Sequence, residues 1–446
     1  MELHIMKIYK NKKLIMAKID DDYYSIENPF IENGFRVINK DQFGVLSKIQ
    51  DEISIEELSG ISGYNEEELL NLCILLSKQE IVSFDNKFSR VKIDNNSTPF
   101  LTLWVHTTNN CCLRCTYCYI HTLGNNTFMS NKTIGQLSTK IEETVVKHDI
   151  KLVILRLSGG EPLLHWKLWK NEIRQLKTRL ESVNCKLRVA LLTNLVLLSE
   201  DIIEWILNDD IEISVSFDGI ESYQDKSRQF KDGSGSFNIV NNNLQKLLDN
   251  GIYPFIMTVI SDSNVDGLPM LSRFLIEHNL RFRYSFVHFE SLNLIKVIKK
   301  MEECFDVFSN AIDNGYSFSD KFHLCDLKFL KPHIQTCYNG NSGAAIYVNG
   351  DVYFCHTQFG YESKIGSVFE DKDLMQIIHD GSVYSKLNLP EDCKNCNLRY
   401  VCSGGCPVKR EDGKDPHCLA YKILAPQVYK LIGKEHLFHH NHNNIN

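Results

Sequence analysis

From Phe100 onward the sequence repeats one unit: a short apolar run, then a longer stretch with apolar residues at helical spacing. The runs are FLTLWVH (100–106), KLVILRL (151–157), KLRVALL (186–192), IEISVSF (211–217), YPFIMTVI (253–260) and RFRYSFV (281–287). Residues 134–146, 166–180 and 237–248 carry the helical pattern between them. Few folds satisfy this rhythm. It predicts an α/β architecture in which right-handed crossovers build a parallel sheet and curl it into a partial (β/α)6, TIM-like barrel over residues 96–315. Ligands of such sheets sit at the C-terminal strand ends. The polar motifs fall there: a cysteine loop after the first run, SGGEP after the second, TN after the third and SFDG after the fourth.

Residues 1–95 have another character. MKIY, LIMAKI and YYSIE within residues 6–27 read as a small antiparallel sheet, with KNKK as the turn between the first two. Ser54 with Glu57, and Asn65 with Glu68, have the spacing of capping boxes that open helices. EIVSF (80–84) reads as a returning strand, giving a winged-helix-like module, and KIDNNSTP as a linker. The first twenty residues scatter Lys and Asp through their apolar positions, so neither a signal peptide nor a membrane span is expected, and the protein is expected in the cytoplasm. A formal charge of -7 gives no general attraction to nucleic acid or anionic lipid, and the candidate recognition helix NEEELLNLCILLSK opens with three glutamates.

Fifteen cysteines in a reducing compartment point to metal rather than disulfides. Cys73, Cys185 and Cys304 are scattered and read as small buried hydrophobes. Cys111, Cys115 and Cys118 stand as C-x3-C-x2-C, with Cys112 as a bystander expected to point away from Cys111. Three thiolates on a 4Fe-4S cube leave one iron open for chemistry. A structural zinc site, the alternative, normally closes with four ligands. At these residues the sequence resembles a radical S-adenosylmethionine enzyme, whose signature matches the three cysteines and Tyr117. The resemblance implies that the open iron binds S-adenosylmethionine and that a 5'-deoxyadenosyl radical results. It also implies cofactor contacts at Tyr117, Ser158, Gly159, Gly160, Glu161, Asn194, Ser216 and Arg228. In that set Glu161 takes the methionine ammonium, Ser216 the ribose and Arg228 the methionine carboxylate, against a surface salt bridge as the other reading of Arg228. Asp218 and Gly219 are expected to shape a turn. Leu195 departs from the glycine that relatives often carry, so a tighter backbone is expected there.

The last quarter, residues 316–446, is rich in Cys, Gly, Asn and Asp, and metal is expected to replace a core in it. Cys337 and Cys355 flank Gly350, which sits in a VNGD hairpin turn; Cys393, Cys396, Cys402, Cys406 and Cys418 follow. Zinc knuckles are one reading. The spacing resembles the SPASM extension of radical peptide maturases, which implies two auxiliary 4Fe-4S clusters and three clusters in all. Cys393, Cys396, Cys402 and Cys418 would hold one. Cys337, Cys355 and Cys406 would hold the other, with Cys325 as fourth ligand or an iron left open for a substrate thiolate. The tail HLFHHNHNNIN is expected to be a disordered, solvated end. The N-terminal module resembles the PqqD-like element that binds leader peptides by strand addition.

Together these resemblances imply a radical maturase that crosslinks a ribosomally made precursor peptide, most readily through a thioether, with flavodoxin or ferredoxin as electron donor. Carbon-carbon or carbon-oxygen crosslinking, a sulfatase-type formylglycine maturase, and a non-enzymatic zinc-binding regulator are the alternatives. No general base is assigned.

Overall fold

The computed structural model describes residues 6–89, 99–124, 127–288, 290–360, 363–381 and 389–443. The N-terminal module contains β1 (Lys7–Lys10), β2 (Ile15–Lys18), β3 (Tyr23–Glu27), β4 (Phe35–Asn39), α1 (Lys40–Lys48), β5 (Glu52–Ser54), α2 (Ile55–Ser62), α3 (Glu66–Ser77) and β6 (Val82–Ser83). The capping boxes at Ser54 and Asn65 form as spaced, and a third opens α1, where Asn39 and Gln42 bond each other's backbone. The expected β1–β2 hairpin does not form. β1 lies between β5 and β6, whereas β2, β3 and β4 make a separate antiparallel sheet. Both sheets contribute to one apolar cluster, Ile8 from the first and Ile26 and Ile38 from the second. Alternation identifies such strands without naming their partners. Of the linker stretch KIDNNSTP only Pro99 lies within the described residues.

The central element is a ten-stranded sheet. It contains β7 (Phe100–His106), β8 (Leu152–Ser158), β9 (Lys186–Thr193), β10 (Ile211–Ser216), β11 (Phe255–Ile260), β12 (Arg281–Phe286) and β13 (Phe322–Leu324), parallel and in chain order. The crossovers are α4 (Asn131–His148), α5 (Trp166–Ser182), α6 (Glu200–Asn208), the one-turn α7 (Ser222–Asp225) with α8 (Phe237–Asp249), α9 (Leu268–Glu277) and α10 (Leu294–Ile312). One face of β7 packs on a crossover helix: Leu101, Leu103 and Val105 join Ile134, Leu137 and Ile141 of α4 in the main apolar cluster. On the other face Arg156 of β8 is pushed below its usual pKa by burial, with Arg283 of β12 adding to the shift.

The cysteine-rich segment continues this sheet. β14 (Gly343–Ile346) pairs in parallel with β7, and β15 (Asp351–Tyr353) and β16 (Lys364–Ser367) extend it. Gly350 turns the β14–β15 hairpin at φ +88°, the left-handed region that favours glycine. α11 (Leu374–Asp380), α12 (Glu391–Lys394) and α13 (Arg399–Cys402) follow. The segment was expected to lack a core; instead Ala344, Ile346, Val352, Leu374 and Ile377 belong to the main apolar cluster.

The tail is also different from expectation. Residues 436–443 are not a disordered end but the last turns of α14 (Cys418–Asn443), where Phe438 packs on the main core and stacks on His442 at 4.1 Å. Among the described residues no helix is long and apolar enough to cross a membrane. α14 also lies on β2, β3 and β4: a Cβ at Gly433 would stand 2.6 Å from Ile19 and 3.0 Å from Ser25. Gly433→Val should therefore force the helix off the N-terminal sheet, costing about 1–3 kcal/mol. Calorimetry should show a lowered Tm; an unchanged Tm would contradict this packing.

Candidate active site

The C-terminal ends of β7 and β8 are joined by their backbones. Thr107 N donates to Ser158 O (2.8 Å), Gly160 N to Thr108 O (2.6 Å) and Glu161 N to Asn110 O (2.8 Å). The two glycines make this possible. Gly159 has φ +146°, and a Cβ on Gly160 would lie 2.1 Å from Asn110 O. Thus the close approach anticipated at SGGEP is made, within the protein, to the backbone that presents the cysteine loop.

Glu161 is fully buried. Its carboxylate accepts from Leu163 N (3.0 Å), Thr193 Oγ1 (2.7 Å) and Asn194 N (2.8 Å). Burial raises its pKa to about 7 against these donors. The acid thereby fixes the turn after β9, in which Leu195 takes φ +60°. That is the strained, glycine-favouring conformation signalled by the departure at this position. Asn194 turns its amide to the sulfurs of both Cys111 (3.5 Å) and Cys112 (3.4 Å). Cys112 therefore does not point away from Cys111; the loop is irregular here, so strand alternation does not apply.

Cys115 and Cys118 are held from the other side. Arg114 N and Thr116 N donate to Gln229 O (2.7 Å) and Ser227 O (2.9 Å), zipping the cysteine loop to the segment after α7. This sets Arg228 beneath the loop. Its Nε donates to Asp218 (2.8 Å), its Nη1 lies 3.8 Å from Cys115 Sγ, and its guanidinium lies over the Tyr117 ring at 5.6 Å. Tyr117 donates its hydroxyl to the same Asp218 carboxylate. Arg228 thus makes a buried ion pair rather than a surface one. Asp218, expected only to shape a turn, is the anchor of this group: its carboxylate takes both Arg228 and Tyr117. Ser216 closes β10, half-buried, in register with Met257.

Burial raises the Cys115 thiol to about 12 against the opposing pull of Arg228, and Cys118 and Cys111 add to the rise. Cys118 is likewise raised by burial, with Cys111 adding. The three thiols are close enough to influence one another, and as protonated thiols they are poor nucleophiles; a metal would take them as thiolates. An all-sulfur donor set of three fits an iron-sulfur cluster with one iron free of protein ligand.

A second set lies in the cysteine-rich segment. Burial raises Cys337 and Cys406, the latter to about 12, and Cys355 adds to both. Cys393, Cys396, Cys402 and Cys418 line one cavity, an all-sulfur donor set of four of the kind that holds an iron-sulfur cluster. Cys325 follows β13 at φ +50° and opens, with Cys402 and Cys406, onto one cavity. Burial raises it to about 12, opposed by a hydrogen bond from Tyr421. It stands between the two sulfur sets.

Because Asp218 is fully buried, removing its cation leaves an uncompensated charge. Arg228→Met should cost about 3–5 kcal/mol, and the double variant Arg228→Met/Asp218→Asn should be more stable than the single one in thermal melts. Equal or lower stability of the double variant would contradict the pairing.

Residues 105–275 match the model of the Radical SAM superfamily, and residues 337–397 that of SPASM, an iron-sulfur cluster-binding domain. The chain is similar to a cysteine-type anaerobic sulfatase-maturating enzyme of Clostridium novyi, 25% identical over 68% of this chain and 86% of that one. It is also similar to the radical SAM cyclopropyl synthase TigE of Paramaledivibacter caminithermalis, 21% identical over 94% of this chain and 91% of that one. Among solved structures, Streptococcus suis SuiB bound to its precursor peptide SuiA shares the fold with a TM-score of 0.54 at 14% identity, covering 93% of this chain and 99% of that one. The thiol triad at the strand ends thus falls in the stretch that matches the Radical SAM superfamily, and Cys337, Cys355, Cys393 and Cys396 fall in the stretch that matches SPASM; together the two domains make this a radical SAM enzyme that uses S-adenosylmethionine, a radical SAM 4Fe-4S cluster and auxiliary 4Fe-4S clusters.

Proposed function

We propose that this enzyme modifies a ribosomally made precursor peptide in the cytoplasm, abstracting a hydrogen from one residue and closing a thioether to a cysteine sulfur. The observation that carries this reading is coverage. Similarity to TigE and SuiB runs over more than nine-tenths of the chain and so takes in residues before Phe100, whereas similarity to the Clostridium novyi maturase covers 68%. An extra N-terminal module suits a leader peptide, which would add a strand to the small sheet and leave the core peptide free to reach the concave face of the barrel.

In this reading Cys111, Cys115 and Cys118 hold the radical SAM cluster. Cys337, Cys355 and Cys406 hold one auxiliary cluster, and Cys393, Cys396, Cys402 and Cys418 the other, three in all. Cys325 is either a fourth ligand to the first auxiliary cluster or leaves its iron open to a substrate thiolate. When bound, S-adenosylmethionine and its cluster supply a 5'-deoxyadenosyl radical. The chain's own residues orient it: Tyr117, Ser158, Gly159, Gly160, Glu161, Asn194, Ser216 and Arg228 shape the pocket wall, and the closed strand ends exclude water. A small one-electron carrier such as flavodoxin or ferredoxin reduces the protein.

The second reading is a sulfatase-type formylglycine maturase, favoured by the 25% identity to the Clostridium novyi enzyme. Mass spectrometry of the product separates the two. With the cysteine-bearing peptide encoded beside the gene, a thioether product loses two hydrogens and one alkylatable cysteine; formylglycine loses the sulfur and gains an aldehyde that reacts with hydroxylamine. Cys115→Ala should abolish reductive cleavage of S-adenosylmethionine and lower total iron from about twelve to about eight per chain, by the arithmetic of four irons per cluster. Retained cleavage in that variant would overturn the assignment.

A further inference from the structure

Two side chains bridge the two sulfur sites. Tyr119 follows Cys118 directly and begins the short turn Tyr119–Thr122; His356 follows Cys355 directly and begins the turn His356–Gln358. The Tyr119 hydroxyl and His356 Nδ1 are 2.8 Å apart, although 237 residues separate them in sequence. The His356 ring is fixed by stacking on Trp104 of β7 at 4.1 Å and 17°. Through these two neighbours, one hydrogen bond joins the residue after Cys118 to the residue after Cys355.

We propose that Tyr119 and His356 are the electronic link between the radical SAM site and the auxiliary site of Cys337, Cys355 and Cys406, one electron crossing the hydrogen bond between them. From Cys118 to Cys355 the path runs through the chain to the phenol, across one 2.8 Å contact, through the imidazole and back into the chain. Electron tunnelling decays slowly through covalent and hydrogen bonds and steeply across gaps, so this contact is the step on which the route depends. One site is oxidised by one electron and the other reduced by one; the shared proton stays in the hydrogen bond, and no other bond forms or breaks. A low-potential one-electron carrier supplies the electron at the auxiliary site. Tyr119 and His356 are positioning residues here, since neither touches substrate. The inference rests on Cys118 and Cys355 belonging to different clusters.

The test uses the loaded full-length protein without substrate. A flash of photogenerated deazaflavin radical delivers less than one electron per chain, and samples frozen at successive times are read by EPR, with the Cys115→Ala protein identifying the auxiliary signals. Tyr119→Phe keeps the ring and removes the hydrogen bond; His356→Phe keeps the stack on Trp104 and does the same. Each should slow redistribution of the electron between the two signals at least threefold, and the double variant should be no slower than the slower single one. Redistribution within threefold of the unmodified protein in a variant with full iron content overturns the link, as does a double variant slower than both singles. Should Tyr119→Phe load iron poorly, His356→Phe alone decides by the same threshold. If the unmodified protein shows no iron-sulfur signal, the cluster reading fails instead, and the two failures are told apart by iron content.

Discussion

The contact between Gly159–Gly160 and the backbone of Thr108–Asn110 is the constraint on which the rest of the site depends. Two parallel strands in register end at the same level, and the chain leaving each must turn away without colliding. Here the two exits touch, backbone to backbone, at a distance that excludes any side chain. That contact sets where Cys111 begins its loop and where Glu161 enters the interior. Glu161 then fixes the third strand end through Thr193 and Asn194, and Asn194 returns to the sulfur of Cys111. These contacts lock three strand ends and one thiol together.

The opposite wall is electrostatic. Asp218, Arg228 and Tyr117 form a buried acid, base and phenol group against Cys115, and the chain supplies both charges from one short segment, SFDG through YQDKSR. A buried ion pair is weak evidence of stability, because desolvation opposes its attraction. Its better-supported role is positional: it fixes a cation beside a sulfur that a metal would hold as thiolate. The site is thus rigid through backbone contact on one side and through paired charge on the other.

Much of this was legible in the sequence because it is local. The six runs lie within about two residues of the strands observed, two capping boxes form where their spacing puts them, and Gly350 takes the positive φ that its hairpin turn signals. What was hidden is nonlocal. β1 chooses β5 and β6 over β2 by shared packing, not by pattern. The histidine-rich tail looks solvated, yet it is helical because Phe438 finds the main core. The cysteine-rich segment has few apolar periods of its own, but β14 borrows the barrel's sheet and with it the barrel's core. The bond between Tyr119 and His356 joins two motifs that are each visible alone and have no common signal.

In the proposed function the triad at the strand ends holds one 4Fe-4S cluster with an iron left for S-adenosylmethionine. Mössbauer spectroscopy of 57Fe-enriched protein carrying Cys355→Ser and Cys402→Ser, which isolates the triad, tests it most directly. The expected result is a single 4Fe-4S cluster in which one iron changes its isomer shift when S-adenosylmethionine is added. A cluster whose four irons all ignore the cofactor, or no cluster at all, would contradict it.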